Sequence, residues 1–221
     1  MSTERSIVIE AVVFDLGGVF TDSPFEALRA AGEAKGTSAD EALSVVFGPY
    51  DEDTDHPWHQ AERGELDLEA ARAGIRRIGV ERGIEIDLFD MLAYMSGDGG
   101  LRHVLVERVR LLRADGIRTG LVTNNVAEFR AYWRPMLPLD ELFDVVIDSS
   151  EVGIRKPNPA IYQLALDRLG GVAPERAVFL DDYPGNVLAA QRLGMHGIVV
   201  DPDPTGAIAQ LDALLGGVRP R

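Results

Sequence analysis

The sequence contains no cysteine, which limits the chemistry open to the protein. Disulfide bonds and thiolate metal sites are excluded, and the chain suits a reducing compartment, so we expect a cytoplasmic protein. Long apolar runs are also missing, because no stretch approaches the roughly 20 residues of a membrane span. The charged start, "MSTERSIVIE", is unlike a signal peptide. We therefore expect no membrane partner.

Basic residues are scarce, with 22 Lys and Arg against 36 Asp and Glu and a formal net charge of −14. Nucleic acids attract positive surfaces, so we expect no nucleic-acid partner. An anionic ligand such as a phosphate needs a cation placed close to it. The 221 residues, 46% of them hydrophobic, suit one core domain with an inserted subdomain, either as a monomer or as a homodimer.

Helix and strand patterns alternate from residue 101 onward. The segment 101–116 predicts a helix whose apolar stripe includes Leu101, Val104, Leu105, Val109 and Leu112. Apolar strands follow in "IRTGLVTNN", "DVVIDSS" (144–150), "RAVFLDD" and "GIVVD", with helical patterns between them. Such strands show little polar alternation, which is typical of a parallel sheet covered on both faces. We predict an α/β fold with a Rossmann-like parallel sheet in three layers.

Residues 24–96 interrupt this alternation because they are helical in pattern, highly charged and without strand signals. We predict a helical cap subdomain here, inserted into a core formed by residues 1–23 and 97–221. The junctions fall near Ser23-Pro24 and at the glycine-rich stretch "SGDGG" (96–100).

Polar residues follow the predicted strands where each one ends. The first strand runs through "VVFDLGGVF", and the positions concerned are Asp15, Thr123, Asn124, Asp181 and Asp182, with Lys156 a few residues after the strand at 144–150. Each alone is explained equally well as a turn residue, a cap or a loop. Ligands of open parallel sheets bind beyond the carboxyl ends of the strands, however, and these positions share that edge.

The residue types suit phosphoryl transfer. A carboxylate such as Asp15 can act as a nucleophile, and paired carboxylates suit Mg²⁺. A lysine, a hydroxyl and a metal are the groups expected around a transferred phosphoryl group, whose charge is spread over three oxygens. The glycines after Asp15 let the backbone approach a ligand closely.

The four segments "FDLGGVFTDS", "LVTNN", "GIRKPNPAIY" and "VFLDDYPGNVLAAQRLG" together resemble the motifs of the haloacid dehalogenase-like hydrolase superfamily, in the same order. Within it, "WHQAERGELD" and "RKPNPAIY" are similar to the branch that holds sugar-phosphate phosphatases and the phosphatase domain of soluble epoxide hydrolases. The resemblance covers the whole chain, and the inserted helices fall where the family has its cap.

This resemblance implies a role for each motif residue. Asp15 is expected to be the nucleophile, Thr123 to bind the phosphoryl oxygen and Lys156 to clamp the charge. Asp15, Asp182, Asp181 and the Gly17 carbonyl are the expected Mg²⁺ ligands, and Gly18 and Asn124 are expected to contact the substrate. From the cap residues His56, Trp58, His59, Glu62, Arg63 and Glu65, we select His59 as a further substrate contact.

One position departs from the pattern of the superfamily. Most of its phosphatases carry a second aspartate, a general acid, two residues after the nucleophile, and that position is Gly17 here. The leading function is a Mg²⁺-dependent phosphatase acting on a small phosphorylated metabolite such as a sugar phosphate. Two alternatives stay open: carbon–halogen hydrolysis by Asp15, which needs no metal, and a regulatory protein that binds a phosphorylated ligand with little turnover.

Overall fold

A five-stranded parallel sheet lies at the centre of the computed structural model, which describes residues 8–95 and 100–216. Its spatial order is β3-β2-β1-β4-β5. The strands are β1 (Ala11–Phe14), β2 (Arg118–Thr123), β3 (Val145–Asp148), β4 (Ala177–Asp181) and β5 (His196–Val199). The predicted α/β fold is confirmed.

Helices cover both faces of the sheet. The α-helices are α1 (Pro24–Ala34), α2 (Ala39–Val46), α3 (Pro57–Glu62), α4 (Leu68–Arg82), α5 (His103–Ala114), α6 (Arg130–Trp133), α7 (Leu139–Leu142), α8 (Ser149–Val152), α9 (Pro159–Arg168), α10 (Pro184–Leu193) and α11 (Thr205–Leu214). Short 3₁₀ helices span Leu88–Tyr94, Ala127–Phe129, Arg134–Met136 and Pro174–Arg176.

The side chains of β1 alternate between two apolar clusters, one on each face of the sheet. Val12 and Phe14 pack in the cluster that contains residues of α5 and α11, whereas Ala11 and Val13 pack with residues of α9 and α10. This double burial explains why β1 is apolar at all four positions.

The strand register brings the chain's polar residues to one edge. Phe14 of β1 pairs with Leu180 of β4, so the residues that follow them, Asp15 and Asp181, reach the carboxyl edge side by side. On the other side Phe14 pairs with Leu121, two residues before Thr123.

Residues 24–95, termed here the helical insertion, contain α1 to α4 and the 3₁₀ helix Leu88–Tyr94, with no strand among them. They have an apolar cluster of their own, which includes Leu28, Val45, Ile75 and Leu88. A capping box at Ser38 begins α2, and the Asp67 side chain caps α4. The predicted return segment at 96–100 lies outside the described residues except for its last glycine.

Two details of the sequence interpretation were wrong. Val104 is 54% exposed, because it lies one residue, roughly 100° of helix rotation, from the buried Leu105. The apolar stretch 144–150 does not stay extended to its end, because the Asp148 side chain accepts a hydrogen bond from Ser150 N (2.9 Å) and starts α8. Within the described ranges, no helix has the length and apolar character needed to cross a membrane.

Candidate active site

Lys156 lies between two carboxylates at the carboxyl edge of the sheet. Its Nζ is 2.8 Å from Asp15 Oδ1 and 2.7 Å from Asp181 Oδ2. Lys156 and Asp181 are fully buried, and Asp15 is nearly so. The structure therefore brings together three residues that the sequence separates by up to 166 positions, and it provides the local cation that an acidic protein needs beside an anionic ligand.

Burial and mutual repulsion govern the ionisation of this cluster. Burial raises the pKa of Asp15 well above its usual value, although Lys156 opposes the shift. Burial, and then the neighbouring Asp181, raise the pKa of Asp182 to about 7. Burial alone would lower the pKa of Lys156, but Asp15 and Asp181 raise it, so the ammonium stays charged.

The three carboxylates could together hold a cation, since one oxygen from each of Asp15, Asp181 and Asp182 lies within 4.8 Å of the others. Asp182 Oδ1 is buried and has no hydrogen-bond partner among the described residues, while Ser23 Oγ donates to Oδ2. An unpaired buried carboxylate oxygen is costly unless a ligand uses it. The donor set is all oxygen, which fits Mg²⁺.

Asp181 is the most fully hydrogen-bonded of the three aspartates. Besides Lys156, its carboxylate accepts hydrogen bonds from Tyr183 N (2.8 Å) and from Asn186 Nδ2 (3.2 and 3.1 Å). These donors fix the orientation of the Asp181 carboxylate, which in turn holds the Lys156 ammonium in place. Asp15 and Asp182 line the adjoining cavity, and Asp181 does not.

Gly18 has φ of 68°, in the left-handed region that favours glycine. A Cβ at this position would overlap the carboxylate of Asp182. Two constraints therefore require glycine here, the backbone conformation and the space needed by Asp182. The neighbouring Gly17 lines the cavity.

The last residue of β2, Thr123, contributes a hydroxyl, and the next residue, Asn124, holds the backbone of Lys156. Thr123 lines the cavity, and its hydroxyl makes only a long contact, 3.5 Å, with Asn124 O. Asn124 binds the backbone of Lys156 on both sides, since Nδ2 donates to Lys156 O (2.9 Å) and Oδ1 accepts from Lys156 N (2.8 Å). Asn124 lines the cavity while holding the lysine backbone.

His56, which caps α3, and His59 within α3 both make hydrogen bonds inside the helical insertion. His59 is fully buried, with Nδ1 accepting from Thr54 N (3.1 Å) and Nε2 lying 2.8 Å from Phe47 O. Burial lowers the pKa of His59 to about 3 and that of His56 to about 4, so both are neutral at neutral pH. Neither is among the residues that line the cavity, whereas the nearby Trp58 and Glu62 are.

A buried ion pair joins the helical insertion to the segment that carries Lys156. One member of this pair, Arg155, lies outside the insertion and was not identified from the sequence. Arg155 Nε donates to Glu62 Oε2 at 2.7 Å, with Arg155 fully buried. Tyr50 OH (2.7 Å) and Trp58 Nε1 (2.8 Å) donate to Glu62 Oε1. The only available signal was the adjacency of Arg155 to Lys156. Ser23 and Asn186 were missed as well, although Asn186 stands within the quoted fourth segment.

A cavity of about 610 Å³ opens above these groups. Its polar end is built from the loops at the strand ends and includes Asp15, Gly17, Thr123, Asn124 and Asp182. The rest of its wall comes from the helical insertion and from residues 129–136 after β2. A volume of this size can hold a small organic ligand.

This fold and this site define an α/β protein with a candidate carboxylate nucleophile at the end of the first strand. The family model described as haloacid dehalogenase-like hydrolase matches residues 9–194. The chain belongs to this family, as its motifs indicated.

Individual relatives agree with this assignment. The chain is 32% identical over 210 residues to Acyl-CoA dehydrogenase family member 10 of Mus musculus, covering 93% of this chain but only 19% of that protein. It is 29% identical over 209 residues to Phosphatase MT3486 of Mycobacterium tuberculosis, covering 87% and 88%. A predicted HAD-like family hydrolase from Porphyromonas gingivalis superposes with a TM-score of 0.62 at 26% identity, covering 92% and 98%.

Proposed function

We propose that the protein is a Mg²⁺-dependent phosphatase that hydrolyses a small phosphorylated metabolite through an aspartyl-phosphate on Asp15. One observation carries the proposal. Asp15 lies at the polar end of the cavity, paired with the buried Lys156 and within a cluster of three carboxylates that suits a hard cation. We further expect it to act in the cytoplasm as a monomer or a homodimer.

The roles of the chain's own residues follow from their positions. A carboxylate oxygen of Asp15 attacks phosphorus, the bond from phosphorus to the leaving oxygen breaks, and water then hydrolyses the acyl phosphate to inorganic phosphate. Lys156 and the Thr123 hydroxyl stabilise the negative charge of the phosphoryl group. Asp15, Asp182 and the Gly17 carbonyl, with Asp181 behind them, would hold Mg²⁺. When bound, the ion supplies further neutralisation of that charge.

Among the described residues that line the cavity, none is a histidine or a lysine that could protonate the leaving oxygen. Glycine at position 17 offers no acid, and the neutral His56 and His59 do not line the cavity. General acid help is typically worth about 10²–10⁴-fold. We therefore expect esters with acidic leaving groups, such as aryl phosphates or anomeric sugar 1-phosphates, to react faster than equally sized esters of simple alcohols.

The alternative of carbon–halogen hydrolysis explains less of the site. That reaction needs a nucleophilic carboxylate but no cation, and it leaves the buried, unpaired Asp182 Oδ1 without a use. The alternative of a regulatory protein rests on Gly17 alone. It differs from the proposal in predicting that a phosphorylated ligand binds without turnover.

Phosphate release from a panel of phosphorylated metabolites tests the proposal. We expect release with Mg²⁺, none in EDTA and recovery when Mg²⁺ is restored. The Asp15→Asn variant, with an unchanged circular dichroism spectrum, should release none. Full activity in chelator, or wild-type turnover by Asp15→Asn, would contradict the proposed mechanism.

A further inference from the structure

We propose that the site takes phosphate monoesters of neutral, apolar alcohols, with the phosphate at the polar end of the cavity and the hydrocarbon chain against its walls. This inference rests on the proposed phosphatase function and narrows its substrate to amphiphilic molecules. Among esters whose leaving groups are equally basic, it places sugar phosphates among the poorer substrates.

The walls of the cavity concentrate the large apolar side chains of the protein. Both tryptophans of the chain, Trp58 and Trp133, line it, as do three of its five methionines, Met91, Met95 and Met136. Methionine and aromatic side chains adapt to flexible apolar ligands.

The two walls come from separate parts of the chain. Phe25, Phe47 and Met91 belong to the helical insertion, whereas Phe129 and Met136 come from the short helices after β2. An apolar ligand between them would contact both parts at once. The main source of affinity for such a ligand is the removal of apolar surface from water on both sides of its hydrocarbon chain.

Most of the polar side chains that line the cavity lie near the strand ends, and the exceptions are Glu62, Tyr50, Tyr132 and the indole N–H groups of both tryptophans. Among the described residues that line it there is no Lys, Arg or His. Glu62 does line it, but its carboxylate is already bound to Arg155, Tyr50 and Trp58. The hydroxyls of a sugar, or a second phosphate, would therefore meet few polar groups along the walls, and unpaired polar groups bind poorly in such surroundings.

A homologous series of n-alkyl phosphates isolates this effect, because the basicity of the leaving alcohol hardly changes with chain length. With Mg²⁺, kcat/KM should rise about two- to fourfold for each added methylene until the cavity is filled. A long alkyl phosphate should also exceed a hexose 6-phosphate. A flat series, or a preference for the sugar ester, would overturn the inference.

A pair of leucines provides matched variants for this series. Leu92 lines the cavity and is 53% exposed, whereas Leu111 on α5 is 55% exposed and lies away from it. Leu92→Asp should lower kcat/KM for the longest esters and flatten the dependence on chain length. Leu111→Asp should leave the wild-type slope unchanged. Equal slopes in the two variants would overturn the assignment of this wall to the hydrocarbon chain.

Binding measurements test the inference independently of the proposed phosphatase function. Since both tryptophans line the cavity, their fluorescence should report the affinity of non-hydrolysable n-alkylphosphonates in the presence of Mg²⁺. We expect Kd to fall with chain length, and an unchanged Kd would overturn the inference even if turnover is observed. Failure to hydrolyse any ester, including an activated aryl phosphate, would instead overturn the phosphatase function, while the phosphonate series would still decide whether the cavity selects apolar chains.

Discussion

At the scale of single residues, Lys156 offsets the negative charge of the carboxylates and of the phosphoryl group in the proposed reaction. Its ammonium lies 2.8 Å from Asp15 and 2.7 Å from Asp181, and the burial of Lys156 and Asp181 makes these interactions stronger than they would be at the surface. Lys156→Ala should lower kcat by about 10²–10³-fold, as the loss of one preorganised charge donor does. Steady-state kinetics with Mg²⁺ would measure the loss, and an unchanged kcat/KM would show that this lysine only neutralises charge in the fold.

Gly18 offers a second test at the residue scale, with Gly83 as a matched control. Both have φ close to 70°, but a Cβ at Gly83 meets nothing within 4 Å, while one at Gly18 overlaps Asp182. Alanine at either position should cost about 1–2 kcal/mol of backbone strain.

Only Gly18→Ala should also raise the Mg²⁺ concentration needed for half-maximal activity, because it displaces Asp182. Metal titration of both variants measures the difference. If the two variants need the same Mg²⁺ concentration, the position of Asp182 does not matter for holding the metal.

The sequence was sufficient to predict which residues lie at the strand ends. It was insufficient to predict the hydrogen bonds that hold those residues in place. Asp15 directly follows β1, and Thr123 and Asp181 end β2 and β4, so their common edge follows from the rule for parallel sheets. Asn124 and Asn186 have positions that can be predicted, but their hydrogen bonds to the Lys156 backbone and to Asp181 depend on loop conformations that no periodicity encodes.

At the scale of elements, the pair Arg155–Glu62 joins α3 to the segment that carries Lys156. Sequence patterns could not predict this contact, because its members are 93 residues apart and charged side chains are normally exposed. Glu62→Gln should remove the closest acidic partner of the buried Arg155 and leave only the Asp53 carboxylate, 3.8 Å from Arg155 Nη1, among the described acidic residues. The expected loss of unfolding free energy is about 3–5 kcal/mol.

Urea denaturation measures this loss, with Glu141→Gln as the control because Glu141 pairs with Arg110 on the surface. The control should leave the midpoint nearly unchanged. The double variant Glu62→Gln/Arg155→Met should regain part of the loss, since it no longer buries the Arg155 charge. A Glu62→Gln midpoint equal to that of the control would refute the role of this pair.

At the scale of the whole molecule, stability should depend on pH through Asp182. Its pKa is about 7 in the folded chain against 3.8 ordinarily. Between these values Asp182 binds more protons in the folded chain than in the unfolded chain, so its contribution to the free energy of unfolding is greatest at low pH and is lost as pH rises through about 7. Mg²⁺ requires the ionised carboxylate and should remove this loss.

Thermal denaturation at about pH 5 and about pH 8, with EDTA or with Mg²⁺, tests this coupling. Mg²⁺ should raise Tm more at the higher pH, because protons compete with the ion at the lower one. Asp182→Asn, which cannot ionise, should show a smaller Mg²⁺ effect and less dependence on pH. An equal Mg²⁺ effect at both pH values in the wild-type chain would contradict the coupling.

The central claim is that Asp15 carries the phosphoryl group during turnover. Rapid acid quench of a single turnover with Mg²⁺ and an aryl phosphate, followed by peptide mass spectrometry, measures this most directly. We predict a transient phosphoryl adduct on the peptide containing "VVFDLGGVF", located at Asp15 and absent in EDTA and in Asp15→Asn. Phosphate release at the full rate with no adduct at any quench time, or an adduct on another residue, would contradict the account.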